Sequence, residues 1–152
     1  FSPDSFVQSA IQLATYRLFG KQVGTYEASQ VRPFVHGRTE TTRSVSEASN
    51  AFVQRMGLFP EKNEHDGDAR KEKIALLRTT AFKHQKYLRD ASNGQGCDRH
   101  FFGLSMLVGE NENAPTLFTD PVFQRSKRWR VSTSTLPLLP GFGCVVDDGI
   151  GI

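Results

Sequence analysis

Apolar side chains recur at helical spacing in four stretches of this 152-residue chain. The first stretch follows Ser2, Pro3 and Asp4, which form a helix cap with proline in the first turn, and it ends at Gly20. The second follows a capping-box pattern at residues 44–47. The four apolar sets are Phe6, Val7, Ala10, Ile11, Ala14 and Leu18; Val45, Ala48, Phe52, Val53 and Met56; Ile74, Leu77, Ala81, Leu88 and Ala91; and Phe101, Phe102, Leu104 and Leu107.

The third and fourth helices have equally clear ends. Asp68 can cap the third helix, and Asn93 with Gly94 closes it, whereas Asp98 opens the fourth, whose apolar residues are core candidates. Residues 58–67 are polar and contain proline, asparagine and glycine, so we predict a loop between the second and third helices.

Strand signals are concentrated in the last quarter of the chain. Residues 129–136 alternate with period two, which predicts a strand that carries Ser132 and Ser134 on the same face. Residues 144–146 are typical of a short strand, residues 147–149 of a turn, and extended structure is expected after them. Helices mixed with strands and long crossovers indicate an α/β layered domain.

The polar chemistry is concentrated in residues 25–44, an extended run of hydroxyls and a carboxylate that reaches a turn at Gly37. Val31, Phe34 and Val35 flank these hydroxyls and are residue types that are usually buried. Buried hydroxyls need hydrogen-bond partners, and a polar small molecule is one candidate partner.

Bulk properties limit the choice of function only weakly. The net charge of +3 and the pI of about 9.0 suit an anionic ligand, a membrane surface or nucleic acid. Cys97 and Cys144 lack metal-site spacing and are expected to be free thiols in a reducing compartment. No apolar run approaches the roughly 20 residues of a membrane helix. Because the chain begins at Phe1 without methionine and stops within the apolar run 149–152, we interpret it as a fragment.

Familiar enzyme motifs are absent: no nucleophile elbow, zincin motif, P-loop or paired Cys-x-x-Cys occurs. Asp98 and His100 could suggest a serine hydrolase, but residues two apart on a helix do not face each other. The basic and aromatic run 127–130 could contact nucleic acid, although a solvated strand edge is the commoner structure. A non-catalytic module that binds anions or nucleic acid is therefore one hypothesis.

A family resemblance gives a more definite hypothesis. Five blocks in order and spacing resemble the choline/carnitine acyltransferase family. They are Ser2-Pro3-Asp4; Thr25-Tyr26-Glu27 with Arg32 and Phe34; Gly37-Arg38-Thr39-Glu40-Thr41 with Arg43-Ser44; Asp98-Arg99-His100; and Ser132-Thr133-Ser134 with Gly141-Phe142-Gly143 and Asp148-Gly149. The resemblance implies a chloramphenicol-acetyltransferase-like mixed sheet flanked by helices. Residues 1–152 would then form part of the C-terminal domain, without the upstream catalytic-histidine region and the C-terminal end.

The resemblance also implies roles for individual residues. Ser134 would donate a hydrogen bond to the oxyanion of the tetrahedral intermediate. The carnitine-binding residues would be Tyr26, Thr39, Arg99, Ser132 and Phe142. The coenzyme A contacts would be Ser2, Pro3, Asp4 and Glu27. No metal or permanently bound cofactor is implied, since acyl-coenzyme A is a co-substrate.

The implied activity is reversible transfer of an acyl group between coenzyme A and carnitine. The family's general base is an upstream histidine, so the chain alone is expected to be inactive and to need the missing N-terminal part of its own chain. The histidines that do not match it are His36, His65, His84 and His100.

Substrate preference and location are further implications of the resemblance. Thr39-Glu40-Thr41 and Arg99 favour carnitine over choline, and Gly141 favours medium or long acyl groups, with acetyl transfer as the alternative. A mitochondrial location is expected, with a peroxisomal one as the alternative, and membrane association through missing segments stays open. Nucleic acid is not an expected partner.

Overall fold

A computed structural model of the chain describes four segments, residues 2–60, 66–108, 114–134 and 144–152. The chain divides into two compact units. One comprises Phe1–Val23 with Arg43–Leu88, and the other comprises Gly24–Thr42 with Arg89–Ile152. The chain combines helices with a mixed four-stranded sheet, which confirms the predicted α/β class.

The first unit contains two whole helices and nearly all of a third, α1 (Pro3–Phe19), α2 (Glu47–Met56) and α3 (Gly67–Asp90). As predicted, α1 has proline in its first turn and ends at Gly20, whose φ of 70° is the left-handed conformation that glycine favours. The capping box of α2 lies two residues later than predicted. Ser46 Oγ accepts a hydrogen bond from Ser49 N at 3.1 Å, and Ser49 Oγ accepts one from Ser46 N at 2.8 Å.

The buried side of α1 differs from the expected one. Its apolar residues are largely exposed, with Phe6 at 50%, Val7 at 52% and Leu18 at 65% exposure. Buried hydroxyls on the opposite side donate to carbonyl oxygens of the helix itself, so they remain hydrogen-bonded when they are removed from water. These bonds are Ser9 Oγ to Ser5 O at 2.7 Å and Thr15 Oγ1 to Ile11 O at 2.9 Å.

The packing of α2 and α3 follows the predicted apolar pattern in part, since Ile74, expected on the apolar face of α3, is 42% exposed. Phe52 and Val53 of α2 and Ala81 of α3 are almost fully buried. Thr80 Oγ1 of α3 donates a 3.0 Å hydrogen bond to the carbonyl oxygen of Ala48, which is also buried. None of the helices that the structure describes is long and apolar enough to cross a membrane.

The second unit contains the sheet, whose strand order is β2-β1-β3-β4. Its strands are β1 (Thr25–Gln30), β2 (Thr39–Arg43), β3 (Val131–Thr133) and β4 (Ile150–Gly151). β3 pairs in parallel with both β1 and β4. The remaining elements are a π-helical turn (Ala91–Gln95) and the helices α4 (Asp98–Leu107), α5 (Thr116–Thr119) and α6 (Pro121–Ser126).

The turn between β1 and β2 exposes apolar residues that were expected to be buried. Phe34 is 50% and Val35 is 88% exposed, whereas Thr25, Glu27 and Ser29 are buried along one side of β1. The inward side of this strand is therefore polar. The predicted turn is present at 36–37, where a side chain on the glycine would clash with two carbonyl oxygens of the same turn.

Three further predictions about this unit need correction. The apolar residues of α4 are not core residues, since Phe102, Leu104 and Leu107 are 59%, 40% and 81% exposed. β3 is shorter than predicted, with residues 135–136 outside the described segments. Residues 144–146 lie in a bend instead of a strand. The turn that follows them and the extended end at β4 are confirmed.

Candidate functional site

The side chain of Arg99, in the first turn of α4, brings two strands and a helix together. Its Nη2 donates to Tyr26 Oη at 3.3 Å and to Thr39 Oγ1 at 3.4 Å, and its Nε donates to the carbonyl oxygen of Thr39 at 3.2 Å. Three of the residues that the resemblance assigns to carnitine therefore lie together, although they are far apart in the sequence. Among the described residues Nη1 has no hydrogen-bond partner, so its two N–H groups can still serve a ligand.

The register of β1 and β3 adds a serine to this cluster. Tyr26 of β1 is the partner of Ser132 in the parallel pair, so their side chains leave the same face of the sheet. Ser134 follows two positions later, and its N–H donates to the carbonyl oxygen of Ile152 at 3.2 Å. Ser132 is buried and Ser134 is half-buried. On the other face, Thr133 Oγ1 bonds to the carbonyl oxygen of Tyr26 at 3.1 Å.

A buried carboxylate lies beside the cluster, from a residue that the sequence analysis included in a carnitine-favouring motif but to which it assigned no contact of its own. Glu40 is only 6% exposed, and its Oε1 accepts hydrogen bonds from Thr41 N at 2.6 Å and from Arg99 N at 3.2 Å. The sequence does indicate that Glu40 needs a hydrogen-bond partner, because a glutamate between two threonines of a strand has to find one if its neighbours are buried. It does not indicate that this partner is Arg99, 59 residues away.

An aromatic contact completes the surroundings of Tyr26. Its ring centroid lies 6.1 Å from that of Trp129, with the planes tilted by 60°. The arrangement places a guanidinium within hydrogen-bond distance of a phenol and a threonine hydroxyl. A guanidinium with adjacent hydroxyls is suited to hold a carboxylate, because all of them can donate to its oxygens.

The residues expected to contact coenzyme A lie in different units. Ser2, Pro3 and Asp4 form the start of α1 in the first unit, where Asp4 Oδ2 is 3.6 Å from His84 Nε2. Ser2 is the N-cap residue, but its side chain makes no capping hydrogen bond. Glu27 is buried in β1 of the second unit, on the face opposite Tyr26. The predicted carnitine contact Phe142 lies outside the described residues.

The basic run that suggested nucleic acid is engaged in contacts within its own unit. Arg128 Nη2 and Arg130 Nε lie 2.5 Å and 3.5 Å from carboxylate oxygens of Asp148. The hydrogen bond from Arg128 lowers the pKa of Asp148, and the charges of both arginines lower it further, against the opposing effect of desolvation. Trp129 packs on Tyr26. Contacts of this kind indicate that the run stabilises the edge of a strand, which is the commoner of the two structures considered for it.

The comparison with protein families decides the chain's relationship. The sequence model of the family described as Choline/Carnitine o-acyltransferase matches residues 1–152. The chain belongs to the choline/carnitine acyltransferase family.

Individual relatives within this family carry two kinds of name. The chain is 44% identical to a mitochondrial carnitine O-acetyltransferase of Saccharomyces cerevisiae and 40% identical to a carnitine O-acetyltransferase of Columba livia. It is 41% identical to the human muscle isoform of carnitine O-palmitoyltransferase 1. Each match covers 99% of this chain but only 22%, 24% and 20%, respectively, of the relative. Both acetyl- and palmitoyltransferases are thus similar to it, and acyl-chain length is not decided.

Proposed function

We propose that this chain is part of the C-terminal domain of a carnitine O-acyltransferase, which moves an acyl group reversibly between coenzyme A and carnitine. The observation that carries the proposal is the guanidinium of Arg99 held between the hydroxyls of Tyr26 and Thr39. Carnitine carries a carboxylate, and this trio is chemically suited to bind one. The family membership of the whole chain supports the same function.

The proposed reaction needs a base, an electrophile and a place for negative charge. The carnitine hydroxyl attacks the thioester carbonyl carbon, its proton passes to a base, and the resulting tetrahedral intermediate expels the coenzyme A thiolate, which regains that proton. In the family the base is a histidine outside this chain. Within the chain we assign the Ser134 hydroxyl to the developing oxyanion, because a donor aimed at that oxygen stabilises the transition state most. Ser132 and Phe142 would contact carnitine.

Coenzyme A contacts are assigned to the start of α1 and to Glu27. Acyl-coenzyme A serves as co-substrate in this proposal, and no metal takes part. Because the base and part of the coenzyme site would lie in the rest of the protein, residues 1–152 alone are expected to be inactive.

The preferred acyl group is proposed to be medium or long. Gly141 has no side chain to close an acyl pocket, and a palmitoyltransferase at 41% identity supports the same preference. The acetyltransferase at 44% identity supports the alternative, acetyl transfer. That relative is mitochondrial by name, which supports a mitochondrial setting for this protein.

Thiol release from acyl-coenzyme A, measured with the full-length protein, tests the function. We expect release that depends on carnitine and not on choline, and faster release with octanoyl- or palmitoyl-coenzyme A than with acetyl-coenzyme A. Absence of any carnitine-dependent release would reject the acyltransferase assignment. A preference for acetyl-coenzyme A would be consistent with the proposed acyl transfer and would reject only the proposed length of the acyl chain.

Replacement of Ser134 by alanine tests its assigned role. Removing one oxyanion donor typically lowers kcat by about 10²–10³-fold, and we expect a loss of this size with little change in the KM for carnitine. Ser105→Ala is the matched control, since Ser105 Oγ donates to Phe102 O of its own helix at 2.7 Å. Equal effects of the two substitutions would contradict the assignment.

A further inference from the structure

The glutamate between the two threonines of β2 connects this strand to the helix that carries Arg99. Glu40 is 6% exposed, and one of its oxygens, Oε1, accepts from two backbone N–H groups. The first belongs to Thr41 of its own strand, and the second is the N–H of Arg99 in the first turn of α4. Backbone N–H groups in the first turn of a helix lack partners within the helix, and a carboxylate there is favoured by the helix dipole.

The chain leaves room for this carboxylate at one glycine. A Cβ built on Gly96 would lie 2.6 Å from Cδ and 2.7 Å from Oε2 of Glu40, which is closer than real Cβ contacts come. Gly96 precedes α4 by two residues and has an extended φ of −73°, so glycine is needed here for space and not for an unusual backbone angle. Glu40 is therefore packed against the segment that leads into α4 as well as bonded to its first turn.

The first turn of α4 depends on polar contacts because its apolar side offers little support. No residue of α4 is buried in the part of the chain that the structure describes. The exposed Arg99 side chain is itself held by Tyr26 and Thr39, the latter being the immediate neighbour of Glu40 in β2. The two ends of Arg99 are thus held by consecutive residues of one strand, its backbone by Glu40 and its guanidinium by Thr39.

We propose that Glu40 is a positioning residue for carnitine. Its carboxylate fixes the backbone of Arg99 so that the guanidinium is aimed between Tyr26 and Thr39 before the substrate arrives. Preorganisation of this kind lowers the cost of ordering a binding group. The inference rests on the proposed function, since it explains how the proposed carnitine carboxylate site is held in place.

Substitutions of Glu40 in two backgrounds test the proposal in the full-length protein. Glu40→Ala removes both hydrogen bonds, but only the one from the Arg99 N–H bears on carnitine, so we expect the KM for carnitine to rise about tenfold, as for loss of one hydrogen bond to a charged group. Glu40→Gln keeps an oxygen acceptor and should raise the KM about threefold or less, since only the charge is lost. The KM for acyl-coenzyme A should stay the same in both. Glu47→Ala, at an exposed glutamate of α2, is the matched control.

The decisive comparison uses the Arg99→Asn background. If Glu40 acts through Arg99, adding Glu40→Ala to Arg99→Asn should raise the carnitine KM no further. A purely structural role predicts the same fold-change in both backgrounds, together with parallel changes in the KM for acyl-coenzyme A, and that result would overturn the proposal. Gly96→Ala provides a second variant, because its methyl group displaces an intact carboxylate. Gly96→Ala should also raise the KM for carnitine about tenfold, and it replaces Glu40→Ala as the test variant if Glu40→Ala fails to fold.

A measurement that needs no carnitine separates this inference from the function on which it rests. Hydrogen exchange of the Arg99 amide in the full-length protein should become at least tenfold faster in Glu40→Ala and stay slow in Glu47→Ala. Unchanged exchange would refute the positioning contact even in an active enzyme. If wild-type protein showed no carnitine-dependent turnover but this exchange still accelerated, the proposed function would be rejected while the Glu40–Arg99 contact would stand.

Discussion

Replacement of Arg99 by asparagine tests the proposed carboxylate site most directly. A hydrogen bond to a charged group typically contributes about 1.5–3 kcal/mol, and the exposure of Arg99 puts its bond to a carnitine carboxylate at the lower end of this range. About 1.5 kcal/mol corresponds to roughly a tenfold change in an equilibrium constant. We therefore expect the KM for carnitine to rise about tenfold in Arg99→Asn.

The stability of the protein should barely change in the same variant. The three hydrogen bonds of the guanidinium end on Tyr26 and Thr39, both only half-buried, so water can replace the lost donor at each acceptor. Exposed polar contacts of this kind contribute about 0–1 kcal/mol. The melting temperature should accordingly stay within a few degrees of the wild type, while the kinetic effect is large.

Steady-state kinetics with varied carnitine at saturating acyl-coenzyme A measures the effect, and the reverse experiment measures the KM for acyl-coenzyme A. Arg89→Asn is the control, because Arg89 is an exposed arginine of α3 in the same unit. Choline lacks the carboxylate, so any residual activity toward choline should be the same in Arg99→Asn and wild type. Equal losses for carnitine and choline, or an unchanged KM for carnitine, would show that Arg99 serves the fold and not the substrate.

Three other outcomes follow from contacts outside this trio. Asp148→Asn should lower the melting temperature at neutral pH. Because the pKa of the folded carboxyl is lowered by Arg128, its contribution is complete above the unfolded pKa, and the gap to wild type should close as pH falls through the folded pKa. Gly37→Ala should destabilise by about 1–3 kcal/mol, as measured in urea, because its methyl group would clash with the carbonyl oxygens of Val31 and Phe34, whereas Gly67→Ala, which meets no described atom within 4 Å, should not. Val53→Ala, at a fully buried position, should cost about 2 kcal/mol in the same assay, and no change would contradict the described core of the first unit.

Element positions could be predicted from the sequence wherever a local signal defines them. Pro3 and Gly20 mark the two ends of α1, and the left-handed Gly94 (φ 77°) ends the helical run after α3, because these residues act through their own backbone geometry. The capping box of α2 was placed two residues early, since several serines near the helix start can satisfy the same pattern.

Which side of a helix is buried could not be predicted from apolar spacing alone. Ser9 and Thr15 of α1 are buried because their hydroxyls find acceptors one turn back in the helix, which removes most of the cost of taking them out of water. In the same helix Phe6 is half exposed. Periodicity correctly indicates that two faces differ, but the tertiary partner decides which one it covers.

Only those parts of the candidate site that depend on residue identity could be predicted from the sequence. The resemblance grouped Tyr26, Thr39 and Arg99, and the structure brings these three together. Glu40 and Gly96 were missed as a pair, because their contact depends on the path that the chain takes through α3 and the π-helical turn before it returns to β2. A steric relation between residues so distant leaves no local pattern in the sequence.

The way α4 is supported has a consequence for how substitutions at the site should behave. Tyr26 and Thr39 belong to strands whose positions are fixed by backbone pairing, but Arg99 stands on a helix without a buried side chain among the described residues. Its position therefore depends on a few polar contacts, of which the bond from its N–H to Glu40 is the most buried. Small polar changes around this turn can move the guanidinium while the core of the first unit, at Phe52 and its neighbours, is unaffected. Because such changes alter the geometry of the site more than the free energy of unfolding, they should separate recognition of the proposed substrate from stability.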